Sequence, residues 1–377
     1  MRQSIIVLII FLVGFQQLQA ETTFTNLIGT SIANASDTTK PFIRKSSFIA
    51  LPLAFYTPET KFGGGAATLF AFRFRNQSDS SRPSQIQLGG AYTAEKQLLS
   101  YLPFQLFLKD AKYNIYGELG YYRYFFYFFG IGNDASDESE SFNVNFPRVR
   151  LSALKLVAPN LYVGGRYWFD NYQISKVQEG GLLDDGGITG SEGGLVSSLG
   201  AVGVYDSRDN IFFAKEGVFA ELSVMNNSTT LGSDFDFTRI SLDASTYFTN
   251  KFNHTFAVNG FASFIFGDAP FNELAMLGGT KKLRGFYEGR YRDKKLWMLQ
   301  GEYRMPELYW RLGLVVFGGV GSVAEEFSDF KDNKVHYTFG SGLRVLLSEK
   351  ERINIRIDVG IDEQFNILPY ITVSEAF

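Results

Sequence analysis

The 377-residue sequence has no cysteine, so it forms no disulfide and offers no thiolate metal site. Histidine is scarce too: His254 and His336 are the pair available, which leaves little for zinc binding or triad catalysis. The formal net charge of −3 lacks the basic excess of a dedicated nucleic-acid binder. Beyond the first twenty residues no stretch reaches the roughly 20 apolar residues that a membrane-crossing helix needs. Yet aromatics make up 16% of the chain, while the mean hydropathy is close to neutral. Those two facts conflict in a helical membrane protein. They agree in a barrel whose strands alternate an apolar outward residue with a polar inward one.

The chain opens with Arg2, an apolar run from Ile5 to Phe15, and a small residue, Ala20, before Glu21. This is the plan of a secretory signal, and the run is too short for a membrane anchor. Residues 1–20 are read as a signal peptide, 21–46 as a short periplasmic lead without periodic signal, and 47–377 as the barrel.

Alternation is cleanest in Arg352–Asp362, where each second residue is aliphatic and the others are polar or Gly. A period of two over that length is a strand with one greasy and one wet face. Similar segments are expected near 47–56, 62–75, 84–94, 97–108, 113–126, 143–157, 161–174, 194–206, 217–226, 235–249, 253–266, 296–305, 311–323, 336–347, 352–362 and 368–377. The fold class is therefore all-β: a transmembrane antiparallel barrel of about 16 strands. Connections alternate between short ones (109–112, 158–160, 250–253, 348–351) and long ones (127–142, 175–193, 267–295, 324–335). Short periplasmic turns and long outer loops fit a barrel in the outer membrane of a Gram-negative bacterium, in contact with its lipids. The acidic stretch Asn133–Glu140 lacks ordered calcium-ligand spacing and reads as a solvated outer loop. No Ser-His-Asp spacing surrounds His336, so no enzyme activity, cofactor or metal is expected.

Three patterns carry a resemblance to a known family. Tyr205-Asp206-Ser207-Arg208-Asp209-Asn210 followed by Gly217 is a charged periplasmic turn. Gly278-Gly279 followed by Leu283-Arg284-Gly285-Phe286 lies in the sixth outer loop. The last strands end in Ile371, Val373 and Phe377, an alternation closing on an aromatic. Together they resemble the bacterial surface antigen superfamily of BamA- and TamA-type insertases and two-partner secretion transporters. Thr57-Pro58-Glu59 to Gly65 resembles the family's first hairpin, so the likeness runs from about residue 47 to 377.

The resemblance implies that the sixth loop folds into the lumen and that Leu283, Arg284, Gly285 and Phe286 form a latch, with Arg284 meeting Glu302 on the twelfth barrel strand. It implies a periplasmic turn motif at Tyr205, Asp206, Arg208, Asp209 and Asn210, and an outer-membrane assembly signal at Ile371, Val373 and Phe377. The family also places an Asp on the thirteenth strand. Gly319 stands there, so half of the acidic socket is missing. Residues 21–46 are too short for even one of the family's POTRA domains. The expected function is membrane biogenesis, inserting or translocating protein or lipid through a weak seam between first and last strands. A POTRA-bearing or periplasmic partner would supply what is missing. Pro52 and Pro369, which flank that closure, are expected to weaken the seam, since proline gives no ladder donor. The competing reading is a channel or structural barrel, with no insertase activity.

Overall fold

The structure is a computed structural model that describes residues 46–377 except 59, 75–76, 78–82, 137, 307–308, 310, 349–351 and 374. The signal peptide and nearly all of the expected lead lie outside the described residues.

Sixteen antiparallel strands close into one barrel. In chain order they are β1 (Ser47–Thr57), β2 (Lys61–Phe72), β3 (Ser84–Thr93), β4 (Leu98–Leu108), β5 (Tyr113–Phe128), β6 (Glu140–Ala158), β7 (Leu161–Ser175), β8 (Gly193–Asp206), β9 (Gly217–Asn227), β10 (Phe237–Thr249) and β11 (Thr255–Gly267). Two three-residue strands, β12 (Ala275–Leu277) and β13 (Tyr291–Asp293), then pair with each other inside the sixth loop. The barrel resumes with β14 (Lys295–Arg304), β15 (Leu312–Ala324), β16 (His336–Ser348), β17 (Ile353–Asp362) and β18 (Ile367–Val373).

The strands form because their residue types suit a surface between lipid and water. On β14, β15 and β16, Leu299, Val316 and Leu343 are exposed on the outside, whereas Gln300, Glu302, Phe317 and Arg344 point inward and are buried. Period-two alternation thus separates a lipid face from a lumen face. Tight turns join the strands at the end where β18 finishes. Asn160, with φ of 63°, takes the left-handed position of one of them, a conformation asparagine tolerates.

The apolar core does not run through the barrel wall. It fills the outer half of the lumen, where Phe128, Phe142, Phe271, Leu277, Leu283 and Phe286 pack together with inward residues of neighbouring strands. Below it the lumen holds charged side chains beside a smaller apolar cluster of Leu154, Tyr162, Val202 and Val204. A cavity of about 570 Å³ is lined by residues such as Arg148, Arg166, Trp168, Glu221 and Glu273. A second, of about 320 Å³, shares Tyr116 and Glu221 with it and reaches Arg208 in the turn after β8.

Most expected strands stand within two or three residues of their places. The last is the exception. β18 starts at Ile367, one residue before its expected place, but it stops at Val373 instead of continuing to Phe377.

Candidate functional site: the sixth loop, the seam and the periplasmic rim

The sixth loop crosses the lumen because its glycines allow it. Gly278 has φ of 103°, and a Cβ there would collide with the Tyr287 carbonyl. Gly285, at φ of 127°, lies against the backbone of Ile361 on β17. With no side chain at these points the loop folds back on itself, Gly278 N donating to Lys282 O at 2.8 Å and Gly279 N to Phe286 O at 3.0 Å.

This fold drives Arg284 into the wall. Its side chain is 1% exposed and pairs with two carboxylates, Glu302 on β14 and Asp358 on β17, the latter at 2.5 Å. Its guanidinium also stacks over Phe317, 3.7 Å from the ring centroid. A planar fork between two acids is the geometry that arginine serves and lysine cannot. Gly285 N donates to the Tyr370 hydroxyl at 3.0 Å, and that hydroxyl donates to Phe286 O at 3.2 Å, tying the loop to β18. Leu283 is buried, and its backbone N–H reaches Gln300 Oε1 at 3.4 Å.

Asp358 is the acid that the sequence reading missed. Gly319, in the place expected for the second acid, makes room for the loop instead, since a Cβ on it would lie 2.6 Å from Leu283 Cδ2 and 2.7 Å from Gln300 Cβ. The loop presses so closely on β15 that no side chain fits, and the second carboxylate comes from two strands further round. The signal for it was available. Asp358 belongs to the inward parity of the cleanest alternating strand, and a buried inward acid needs a cation.

The ionic contacts continue beyond Arg284. Glu302 also accepts from Arg304 Nε at 2.8 Å, and Asp358 from Arg344 Nη1 at 2.6 Å. Arg344 in turn holds Glu375, its Nε 2.7 and 3.0 Å from the two carboxylate oxygens. Arg304 donates to Phe377 O at 3.0 Å and to Ala214 O at 3.3 Å. Ile371 and Val373 therefore stay in β18, whereas Phe377 does not sit on the lipid face. It packs with Ala214, Tyr247 and Ala257 on the inside of the rim.

The charged turn after β8 is ordered by its own side chains. Asp206 takes two bonds from the Arg208 guanidinium, at 2.9 and 3.2 Å. Asn210 Oδ1 accepts from the N–H groups of Phe212 and Phe213, both at 2.8 Å. Asp209 Oδ1 accepts from Lys215 N at 2.9 Å, while Oδ2 pairs with Arg352, in the turn between β16 and β17. Burial pushes the Asp209 carboxyl up, but the Lys215 N–H and the Arg352 guanidinium outweigh it and hold it below the usual range. Tyr205 stands apart from this turn, 39% exposed at the end of β8.

The closure of the barrel is short. Among the described residues, β1 and β18 are in register at one pair, Tyr56 opposite Ile371. By contrast β14 and β15 are in register from Lys295 opposite Ala324 down to Arg304 opposite Val315. Hydrogen-bond direction explains why. In an antiparallel sheet successive residues turn their backbone groups to alternate neighbours. Phe62 O accepts from Ala94 N at 2.8 Å, so even-numbered residues of β2 face β3 and odd ones face β1. Phe55 opposite Gly63 is then a bonded pair, and Pro52, opposite Ala66, turns its nitrogen to the seam. On the other side Asp362 N donates to Asn366 O at 3.1 Å, so even residues of β18 face β17, and Pro369 faces the seam as well. Continuing the register of Tyr56 and Ile371 sets Pro58 opposite Pro369, and Pro52 opposite Glu375. Ladder donors are missing at both ends of the contact.

No curated protein sequence matches the chain. Solved structures do. BamA from Haemophilus ducreyi lacking POTRA domains 1–3 shares 14% identity over 88% of this chain and 70% of its own, with a TM-score of 0.59. CdiB from Escherichia coli shares 10% over 89% of this chain and 64% of its own, with a TM-score of 0.57. CdiB from Acinetobacter baumannii shares 10% over 87% and 59%, with a TM-score of 0.54. The chain thus spans less than two thirds of either CdiB chain, and at such identities the likeness is one of fold. Residues 53–362 match the model of the Omp85 superfamily domain. A closed barrel of sixteen strands with a lipid-facing apolar exterior belongs in the outer membrane of a Gram-negative cell, and by that match the chain is a member of the Omp85 superfamily.

Proposed function

We propose that this barrel serves outer-membrane biogenesis, inserting or translocating protein or lipid through the seam between β1 and β18. The observation that carries the reading is the single registered pair at that seam among the described residues, beside neighbours laddered along their length. An unpaired backbone group facing lipid costs several kcal/mol, so a barrel with no use for a weak closure has every reason to ladder it. The free edge of β1 can instead template an incoming strand. Arg284, with Leu283, Gly285 and Phe286, acts as the latch that fixes the sixth loop to β14, β17 and β18 while the seam works. Delivery of the client falls to a POTRA-bearing or other periplasmic partner.

The experiment uses the absence of native cysteine. A Tyr56→Cys/Ile371→Cys pair, oxidised in native outer membranes, locks the seam. The expected result is a folded, heat-modifiable barrel with lowered levels of other outer-membrane proteins and raised permeability, both reversed by reductant. A locked barrel that leaves the membrane unchanged overturns the proposal and favours the channel or structural reading.

A further inference from the structure

Ile371 and Val373 set an apolar alternation that Phe377 would continue, yet the strand ends at Val373. One residue breaks the pattern. On β18 the odd positions face outward: Ile367 is 63% exposed, whereas Leu368 and Tyr370 point inward and are buried. If the strand continued, Glu375 would stand on the lipid-facing side and Ala376 would face the lumen. An unpaired carboxylate is disfavoured there, though less at this end of the strand than at mid-membrane. Within the lumen the same carboxylate finds Arg344 at 2.7 Å and Asn354 Nδ2 at 3.2 Å, and is 9% exposed. Leaving the sheet is what brings it to them.

We propose that Glu375 is a charge stop that sets the length of the seam. Paired with Arg344, it stands outside the sheet two residues after the end of β18, so that in the register of Tyr56 and Ile371 the part of β1 from Ser47 to Leu53 has no strand opposite it. An uncharged apolar residue at 375 lets β18 run on along β1, bringing Phe377 opposite Ala50 in the register of Tyr56 and Ile371. The seam then lengthens towards the periplasm, interrupted only at Pro52. Because Arg344 also binds Asp358, which holds Arg284, Glu375 is joined to the sixth loop through three successive ion pairs. The meaning of a longer seam rests on the biogenesis reading above, but the pairing itself is measured without reference to any client.

The test compares two cysteine pairs in native outer membranes, Tyr56→Cys/Ile371→Cys and Ala50→Cys/Phe377→Cys, with and without Glu375→Leu. Disulfides form only where Cα atoms come within about 7 Å, so the 56/371 pair should crosslink in both backgrounds, and the 50/377 pair about threefold or more better with Glu375→Leu. Should Glu375→Leu fail to assemble, Glu375→Gln is compared in the same way, with a smaller rise expected. Arg344→Ala separates charge from tether: it frees the segment but leaves the carboxylate, so the 50/377 yield should stay low. Equal 50/377 yields with and without the acid, or a rise with Arg344→Ala that matches Glu375→Leu, overturn the charge stop. Loss of the charge stop would leave the seam-locking result untouched, and a negative seam-locking result would leave this pairing measurement standing.

Discussion

At the scale of single residues, the best-defined feature is an arginine between two acids in a place with almost no water. The Arg284 side chain is 1% exposed, and Glu302 and Asp358 are fully buried. Breaking one partner of a buried ion pair leaves an uncompensated charge, but Arg304 and Arg344 remain beside the orphaned acids. We therefore expect Arg284→Gln and Asp358→Asn each to cost about 2–4 kcal/mol. The double variant should cost little more than the larger single one, because both remove the same contact. Urea unfolding in detergent micelles, followed by tryptophan fluorescence, measures all three. Strict additivity would mean that the two residues act independently.

At the scale of elements, the turn after β8 and the turn between β16 and β17 meet across the periplasmic rim through Asp209 and Arg352. The Asp209 carboxyl is held below its ordinary value of 3.8. A depressed folded value means that the contribution to stability is present above the unfolded value and lost as pH falls through the folded one. The strap should thus hold at neutral pH and release only as the medium falls below about pH 4. A nitroxide spin label on Ile211→Cys reads this without touching either partner, since Ile211 is 42% exposed. Its mobility should rise below that pH in the parent protein. It should already be high, and insensitive to pH, in Arg352→Ala. A parent turn that stays immobile through the acid range would show that the pair does not hold it.

Elements were legible in the sequence to the extent that lipid and water enforce a rule. Alternation placed β17 almost to the residue, since each inward or outward position there follows that rule. Arg284 and Glu302 were legible through motif and parity. Which distant strands would meet the loop was not: Asp358 and Arg344 show inward parity in the sequence, but only closure of the barrel sets β16 and β17 around Arg284. Glu375 misled the reading of β18. Its neighbours fit a strand to Phe377, and only the charge on one outward position, weighed against an arginine waiting inside, ends the strand early.

At the scale of the whole molecule, the described residues divide the lumen into an outer half packed with aromatic and aliphatic side chains and an inner half with cavities that charged side chains help to line. A barrel of this strand number has room for a water path, so the block is the work of the loops. We expect small-solute conductance in planar bilayers to be low for the parent chain. It should rise several-fold when the loop from Ala275 to Tyr291 is replaced by a short glycine-serine connection. Equal conductance from both would place the barrier elsewhere.

The contacts of Arg284 also impose an order on assembly. Its second acid lies 74 residues further along the chain, and the Tyr370 hydroxyl that receives Gly285 lies 85 beyond that glycine. Contacts so distant in sequence form late, after the intervening chain has been organised. A barrel halted before its final hairpin would carry a buried cation with half its counter-charge and a loop with nothing to rest on. Setting of the loop is therefore a checkpoint for completion: it reports, from inside the lumen, that the last two strands have arrived.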